Sequence, residues 1–457
     1  MICILAALSL AGLPLAAASS SPTAPRAFAS GPDTLADTTV VERWTLDNGL
    51  RVTTRDIPDA GGVAMTVGYP FGSDQDPEGR EGLAQLLSQL VFTAPAAEFP
   101  ERTAQELESQ RPYGWSFSVT RHSTLFTEVA SIDQFPGVLR EFAARMRGVK
   151  VTPEALRATI RDVRQERTAQ ALGRPESSLE FLVREVALER ADGEIARRAA
   201  AKGLERISVR EVEEHLKRRV VPSNATLSLA GHLEGVDVHR LVQNLFGDIP
   251  AGTPQSAAPP RILKPGTRVA PRAGLPQPVG AVGLIAPALD DSLHPSFLLS
   301  TLLIGNHLSN AWQPPGVEWT SRYTYSFLDE PDLVRFYPLV ASDQARPEAL
   351  SEAMLEALDS MRSMVVNRPI VRQVCTPILW LMGGPMAPEV RARVTRDPQA
   401  LHTLARSMAA CSMWRGEEFW SRYRERLQQP SVGDLAKWVD YYRSPEHHVR
   451  LLLVPGK

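Results

Sequence analysis

Two glutamines four residues apart, Gln85 and Gln89, stand with Ser88 in the run Gly82-Leu83-Ala84-Gln85-Leu86-Leu87-Ser88-Gln89-Leu90-Val91-Phe92. Leu83, Leu86, Leu87, Leu90 and Val91 recur at helical spacing, so the run predicts a helix from about Leu83 to Phe92. Residues four apart share a helix face, so both amides look the same way with the hydroxyl beside them. The chemistry open to them is narrow. A neutral amide is a weak zinc ligand compared with imidazole, thiolate or carboxylate. A serine hydroxyl has no basicity near neutral pH and cannot take a proton from water. What these groups do well is hydrogen-bond.

Nothing else in the chain supplies the missing chemistry. The histidines stand at 122, 215, 232, 239, 294, 307, 402, 447 and 448, and none has HxxEH or ExxHH spacing. His447-His448 precedes the last predicted strand and reads as an exposed pair. No G-x-S-x-G elbow appears, and Ser88 has no histidine neighbour in sequence. The cysteines are Cys3, Cys375 and Cys411, with no metal-ligand spacing. Cys375 and Cys411 are read either as two buried thiols or as one disulfide.

The elements that must position these residues follow from composition and periodicity. The chain has 457 residues, enough for several cores, and a formal net charge of -2. A nucleic-acid partner would call for a basic surplus, which is absent. Residues 2–18 are almost wholly apolar and are followed by a Ser/Thr/Pro/Ala-rich stretch. This predicts a signal peptide over 1–18 and a flexible lead over 19–38, hence export to the periplasm or beyond. A retained N-terminal segment would act as an anchor, the one route to a membrane role. No other apolar run has membrane-spanning length.

From Val40 the order is strand, Asn48-Gly49 turn, strand, strand, the glutamine helix, a strand pair, and then amphipathic helices. Thr152-Pro153 opens a long helix, and Ser208 opens another before the strand Asn224-Ala225-Thr226. Residues 251–277 are rich in Pro, Gly and Ala, lack periodicity, and read as a linker. The second half repeats the coarse order of the first. The expectation is an α+β chain of two homologous units, 39–250 and 278–457, each a mixed or antiparallel sheet packed with helices.

This organisation resembles the pitrilysin/insulinase type of inverted zinc peptidase, in its short form of about 450 residues. The resemblance covers residues from about 40 to 457. In that family the run reads G-L-A-H-x-L-E-H-x-x-F, so the frame of residues 82–92 is kept while Gln85 and Gln89 hold the histidine positions and Ser88 the catalytic glutamate. Val163-Arg164-Gln165-Glu166 matches the distal-ligand helix, with Glu166 lying 77 residues beyond Gln89. Asn224-Ala225-Thr226 and Phe246-Gly247-Asp248-Ile249-Pro250 match two further family stretches. The resemblance implies a metallopeptidase-like fold forming half a clamshell, and a degenerate zinc site with no catalytic residue, no metal and no other cofactor. Residues 85, 88, 89 and 166 are then expected to form a structural polar cluster. The family's substrate-binding arginine and tyrosine would fall near Arg322, Tyr323 and Tyr325, but the family spacing is not kept there, and ordinary strand residues are the plainer reading.

Short members of the family often pair a zinc-bearing half with a non-catalytic mate. The resemblance therefore implies a catalytically inactive subunit of a clamshell complex with an active zinc peptidase, binding peptide substrate between the two. A self-dimer, a stand-alone peptide binder and a structural scaffold are the alternatives.

Overall fold

The computed structural model describes Thr39 to Gly456 except residues 40, 112, 173–174, 191, 256–261, 311–316, 325–327, 329–332, 342–358, 360–361, 363–367 and 430–433. The expected signal peptide and lead, Tyr325, and the middle of the linker therefore lie outside the described residues.

The first half runs β1 (Val41–Thr45), β2 (Arg51–Asp56), β3 (Val63–Tyr69), α1 (Leu83–Thr93), α2 (Ala104–Gln110), β4 (Trp115–Val119), β5 (Thr124–Ala130), α3 (Phe135–Arg147), α4 (Pro153–Leu172), α5 (Pro175–Ala187), α6 (Asp192–Ala200), α7 (Val209–Arg219), β6 (Thr226–Gly231) and α8 (Val238–Phe246). The second runs β7 (Gly266–Ala273), β8 (Val279–Ile285), α9 (His294–Asn310), β9 (Val317–Thr324), β10 (Leu333–Ala341), α10 (Arg368–Leu379), α11 (Pro388–Arg396), α12 (Pro398–Trp414), α13 (Glu417–Leu427), α14 (Asp434–Arg443) and β11 (His448–Gly456). Among the described residues, no helix is long and apolar enough to cross a membrane.

Local chemistry explains the boundaries. Gly49 takes φ +86, closing the β1–β2 hairpin, and the Asn48 side-chain amide donates to the carbonyls of Phe246 and Ile249 at the end of α8. Ser208 caps α7 by accepting from the Glu211 N–H at 3.2 Å. The sequence predicts one helix over 388–409, but Asp397-Pro398 splits it. The proline starts α12, and the Asp397 carboxylate accepts from the Gln399 N–H at 2.9 Å.

Two mixed sheets result. The first has order β1-β2-β6-β3-β5-β4 and the second β7-β11-β8-β10-β9. β2 and β6 are parallel, as are β7 and β11, and the remaining neighbours in both sheets are antiparallel. The second sheet thus repeats the first without β1, and α9 follows β8 as α1 follows β3. The expected α+β class and internal repeat are present. Gly266–Ala273 is a departure: it lies inside the stretch read as linker, yet it is the counterpart of β2. It is an edge strand paired on one side only, and alternately exposed, so its sequence carries little apolar signal.

The halves exchange helices. α12 packs across β3, β6 and β5 of the first sheet, placing Leu401, Leu404, Ala405 and Met408 in one core with Ala64, Val129 and Ala230. α5 packs on β8, β10 and β11 of the second sheet, where Leu179, Val183 and Ala187 meet Ala281, Leu333 and Val449. β3 is buried along its whole length, with α1 and α3 on one side of its sheet and α12 on the other. Arg322 and Tyr323, the candidate substrate-binding arginine and tyrosine, lie on β9, the outer strand of the second sheet and the positional counterpart of β4.

Candidate functional site: a degenerate metal centre

The helix bearing the site is fixed at both ends by charge. At its N-terminus the half-buried Asp76 accepts through its carboxylate from the backbone N–H of Gly82 at 2.7 Å and of Ala84 at 2.8 Å. Gly82 takes φ +91 there, a left-handed conformation that favours glycine. Burial pushes the Asp76 carboxyl up to about 6, against the opposing pull of these two N–H groups, Arg167 and Arg219. At the C-terminus Arg145 donates to the carbonyls of Val91 (2.9 Å) and Ala94 (2.8 Å), and Arg102 to Phe92 (2.7 Å). An anion at the start and cations at the end suit the helix dipole. The cations are themselves held: Arg102 and Arg111 each bridge Glu128 and Glu141, and Arg145 pairs with Glu141 at 2.8 Å.

α4 packs against α1 and carries Glu166. Arg164 and Arg167 tie α4 to α6 through the carbonyls of Ala200 and Arg198. The half-buried Glu166 carboxylate then meets the glutamine face. Gln85 Nε2 donates to Glu166 Oε2 at 2.6 Å, and Gln89 Nε2 approaches the same oxygen at 3.4 Å. Ser88 is not part of this group. It is fully buried, and its hydroxyl donates to the Gln85 backbone carbonyl at 2.8 Å. A serine on the back of a helix turn satisfies itself locally, which explains its turn away from Glu166.

This donor set does not fit zinc. Each amide turns its N–H toward the single carboxylate, and an N–H is a hydrogen-bond donor, not a metal ligand. Among the described residues, no group of three or more His, Cys, Asp or Glu is placed to hold a metal ion.

The remaining candidates disperse. Arg322 and Tyr323 sit on β9 of the second sheet, whereas α1 packs on β4 and β5 of the first. His448 corrects the reading of an exposed pair: it begins β11, is buried, and is held neutral, with its pKa lowered to about 4 by burial and the Arg450 charge. His447 stacks on Tyr441 with ring centres 3.5 Å apart. Cys375 and Cys411 are both free and buried, so they form no disulfide. Burial pushes the Cys375 thiol up to about 12, which makes it unreactive.

One pair was invisible in sequence. Ser116 Oγ on β4 lies 2.7 Å from His402 Nε2 on α12, residues 286 apart. His402 is buried, its pKa is lowered to about 4 by burial and the Arg406 charge, and its Nδ1 has no hydrogen-bond partner among the described residues. A nucleophilic triad needs an acid at that nitrogen. The pair instead joins the edge strand of one half to a helix of the other. Trp115 and Phe117 of the same strand pack on Phe92 of α1, with ring centres 5.3 and 5.2 Å apart.

The fold is a peptidase-type half-clamshell, and the face of α1 that meets Glu166 presents amides. Residues 206–313 match the family model described as the peptidase M16 inactive domain. Among solved structures, a protease from Helicobacter pylori aligns at TM-score 0.71 and 16% identity, over 91% of this chain and 100% of that one. The periplasmic protease PqqL from Escherichia coli aligns at TM-score 0.65 and 15% identity, over 91% of this chain but 48% of its own, so this chain spans about half of PqqL. A peptidase M16 inactive domain from Pseudomonas fluorescens aligns at TM-score 0.66 and 12% identity, covering 91% and 98%. Comparison with curated proteins gives no match. The chain thus shares the fold of M16-like peptidase structures, its residues 206–313 match the M16 inactive-domain model, and its sequence lacks the inverted zinc motif.

Proposed function

We propose that this protein is a catalytically silent M16 subunit that closes a clamshell with an active zinc peptidase and helps hold its peptide substrate. One observation carries the reading: the Glu166 carboxylate, which the family resemblance assigns to the distal ligand, is taken up by the amides of Gln85 and Gln89. A structure kept intact around such an exchange has a use other than hydrolysis. The cluster satisfies polar groups that loss of the metal would otherwise strand.

Peptide binding is supported by β4. It is the outer strand of the first sheet, it lies against the site helix, and it is half-exposed along its length. An extended peptide can add to such an edge through main-chain hydrogen bonds. Export is supported by the apolar residues 2–18 and by the periplasmic setting of PqqL. In this reading the units 39–250 and 278–457 would each supply one sheet of the wall, the second with β7 of the preceding stretch added.

The test is zinc content and peptide hydrolysis of the purified chain, alone and co-expressed with an HxxEH-bearing homologue from the same genome. The expected result is no zinc and no cleavage alone, and a stable complex more active than the homologue by itself. Near-stoichiometric zinc with chelator-sensitive cleavage by the lone chain would overturn the silent-site reading. A metal-free chain that forms no complex would transfer the role to a self-dimer, a lone peptide binder or a scaffold.

A further inference from the structure

A cavity of about 220 Å³ opens between the β1–β2 pair of the first sheet and the turn from α12 to α13. Its apolar lining includes Met382, Met408 and Trp420. Its charged lining is Arg43, Arg51, Arg415 and one acid, Glu417. The acid is already committed: Arg43 and Arg424 each lie 2.6 Å from the Glu417 carboxylate. Arg415 reaches Asp290 at 3.1 Å. Arg51 differs from these. Its guanidinium donates to the Ser412 carbonyl at 3.0 Å and has no carboxylate partner among the described residues. Beside it, the hydroxyls of Thr53 and Ser412 pair with each other at 2.9 Å and can turn to a third group. The rim is built tightly. Gly383 takes φ +76, and a Cβ there would come 3.1 Å from the Arg43 guanidinium.

A partly buried guanidinium without an anion is an expensive arrangement, and its planar fork matches a carboxylate. The cavity is smaller than a drug-sized site, so its occupant is small. We propose that this cavity binds a small organic carboxylate with an apolar body, the carboxylate on Arg51 and the apolar part against Met382, Met408 and Trp420. Two sources share that chemistry: a free aromatic or branched acid, and the C-terminal carboxylate of a peptide ending in an apolar residue. Because the walls come from both halves, the ligand would bridge them.

The test is calorimetric titration of the full folded chain with four probes: hydrocinnamate, its primary amide, N-acetyl-Ala-Ala-Phe, and the C-terminal amide of that peptide. The acids should bind at least about ten-fold more tightly than their amides. Arg51→Met should remove that preference, and Met408→Trp should abolish binding by filling the cavity. Tighter binding of the peptide acid assigns the site to chain ends, and tighter binding of hydrocinnamate assigns it to free acids. Equal binding of acid and amide, no binding by any probe, or unchanged binding by Arg51→Met overturns the proposal. If Arg51→Met does not fold, Met408→Trp decides, since acid binding that survives a filled cavity places the ligand elsewhere.

Discussion

At the residue scale α1 presents a donor type different from that of the inverted zinc motif. Imidazole offers a lone pair to an ion, whereas the amides of Gln85 and Gln89 offer N–H groups to Glu166. Replacing both glutamines by histidine would set two imidazoles beside that carboxylate, a known catalytic ligand set. Gln85→His/Gln89→His is expected to take up zinc near stoichiometrically, read by elemental analysis. A folded double variant with no zinc would remove Glu166 from the distal-ligand position. His402 gives a second residue-scale prediction. Its pKa falls from 6.5 to about 4 on folding. Between these values the unfolded chain binds the extra proton, so stability is full above pH 6.5 and lost as pH falls toward 4. The whole effect is at most about 3 kcal/mol. His402→Gln should flatten this acid limb in urea midpoints measured across pH, while a limb unchanged by the substitution would assign the titration to another group such as His448.

At the element scale, α1 is held by charges that carry their own signatures. The Asp76 carboxyl rises from 3.8 to about 6 on folding, the opposite sense to His402. The unfolded carboxyl loses its proton first as pH rises, so this contribution is complete below about 4 and lost through about 6, on the order of 3 kcal/mol. Asp76→Asn keeps an acceptor for the helix N–H groups and should abolish that falling limb. A limb retained by the variant would show that Asp76 titrates normally. At the other end, Arg102→Ala leaves Glu128 and Glu141 short of a partner and the Phe92 carbonyl without its donor. Breaking a buried pair in this way costs about 3–5 kcal/mol. A urea midpoint close to wild type would mean that Arg111 and Arg145 compensate.

At the scale of the whole molecule, the exchange of α5 and α12 makes each half a structural part of the other. A chain ending near 255 would expose the faces of β3, β5 and β6 that α12 covers, and would leave α5 without the second sheet. Such apolar faces are not stable in water. The two halves expressed separately are therefore expected to lack a cooperative thermal transition and near-UV circular dichroism, and to recover both on co-expression. A half that folds alone would show that the exchanged helices are peripheral to stability.

Much of this was legible before any coordinates. Helix periodicity placed α1, α4 and α7, and the four-residue spacing put Gln85 and Gln89 on one face because a helix is a local structure with a fixed period. The same local rules showed the internal repeat and, through the family frame, pointed to Glu166. They failed where the signal is not local. β7 escaped because an edge strand needs little apolar pattern, and the burial of His448 because alternation along a strand does not say which side another layer will cover. Ser88 shares the glutamine turn in sequence, yet its hydroxyl is satisfied by the backbone of its own helix. The meeting of Ser116 with His402, that of the Arg51 guanidinium with the Ser412 carbonyl and the crossing of α5 and α12 between halves were decided by tertiary structure alone. Sequence spacing fixes which side chains share an element, while only the packing of sheets and helices fixes which elements share a site.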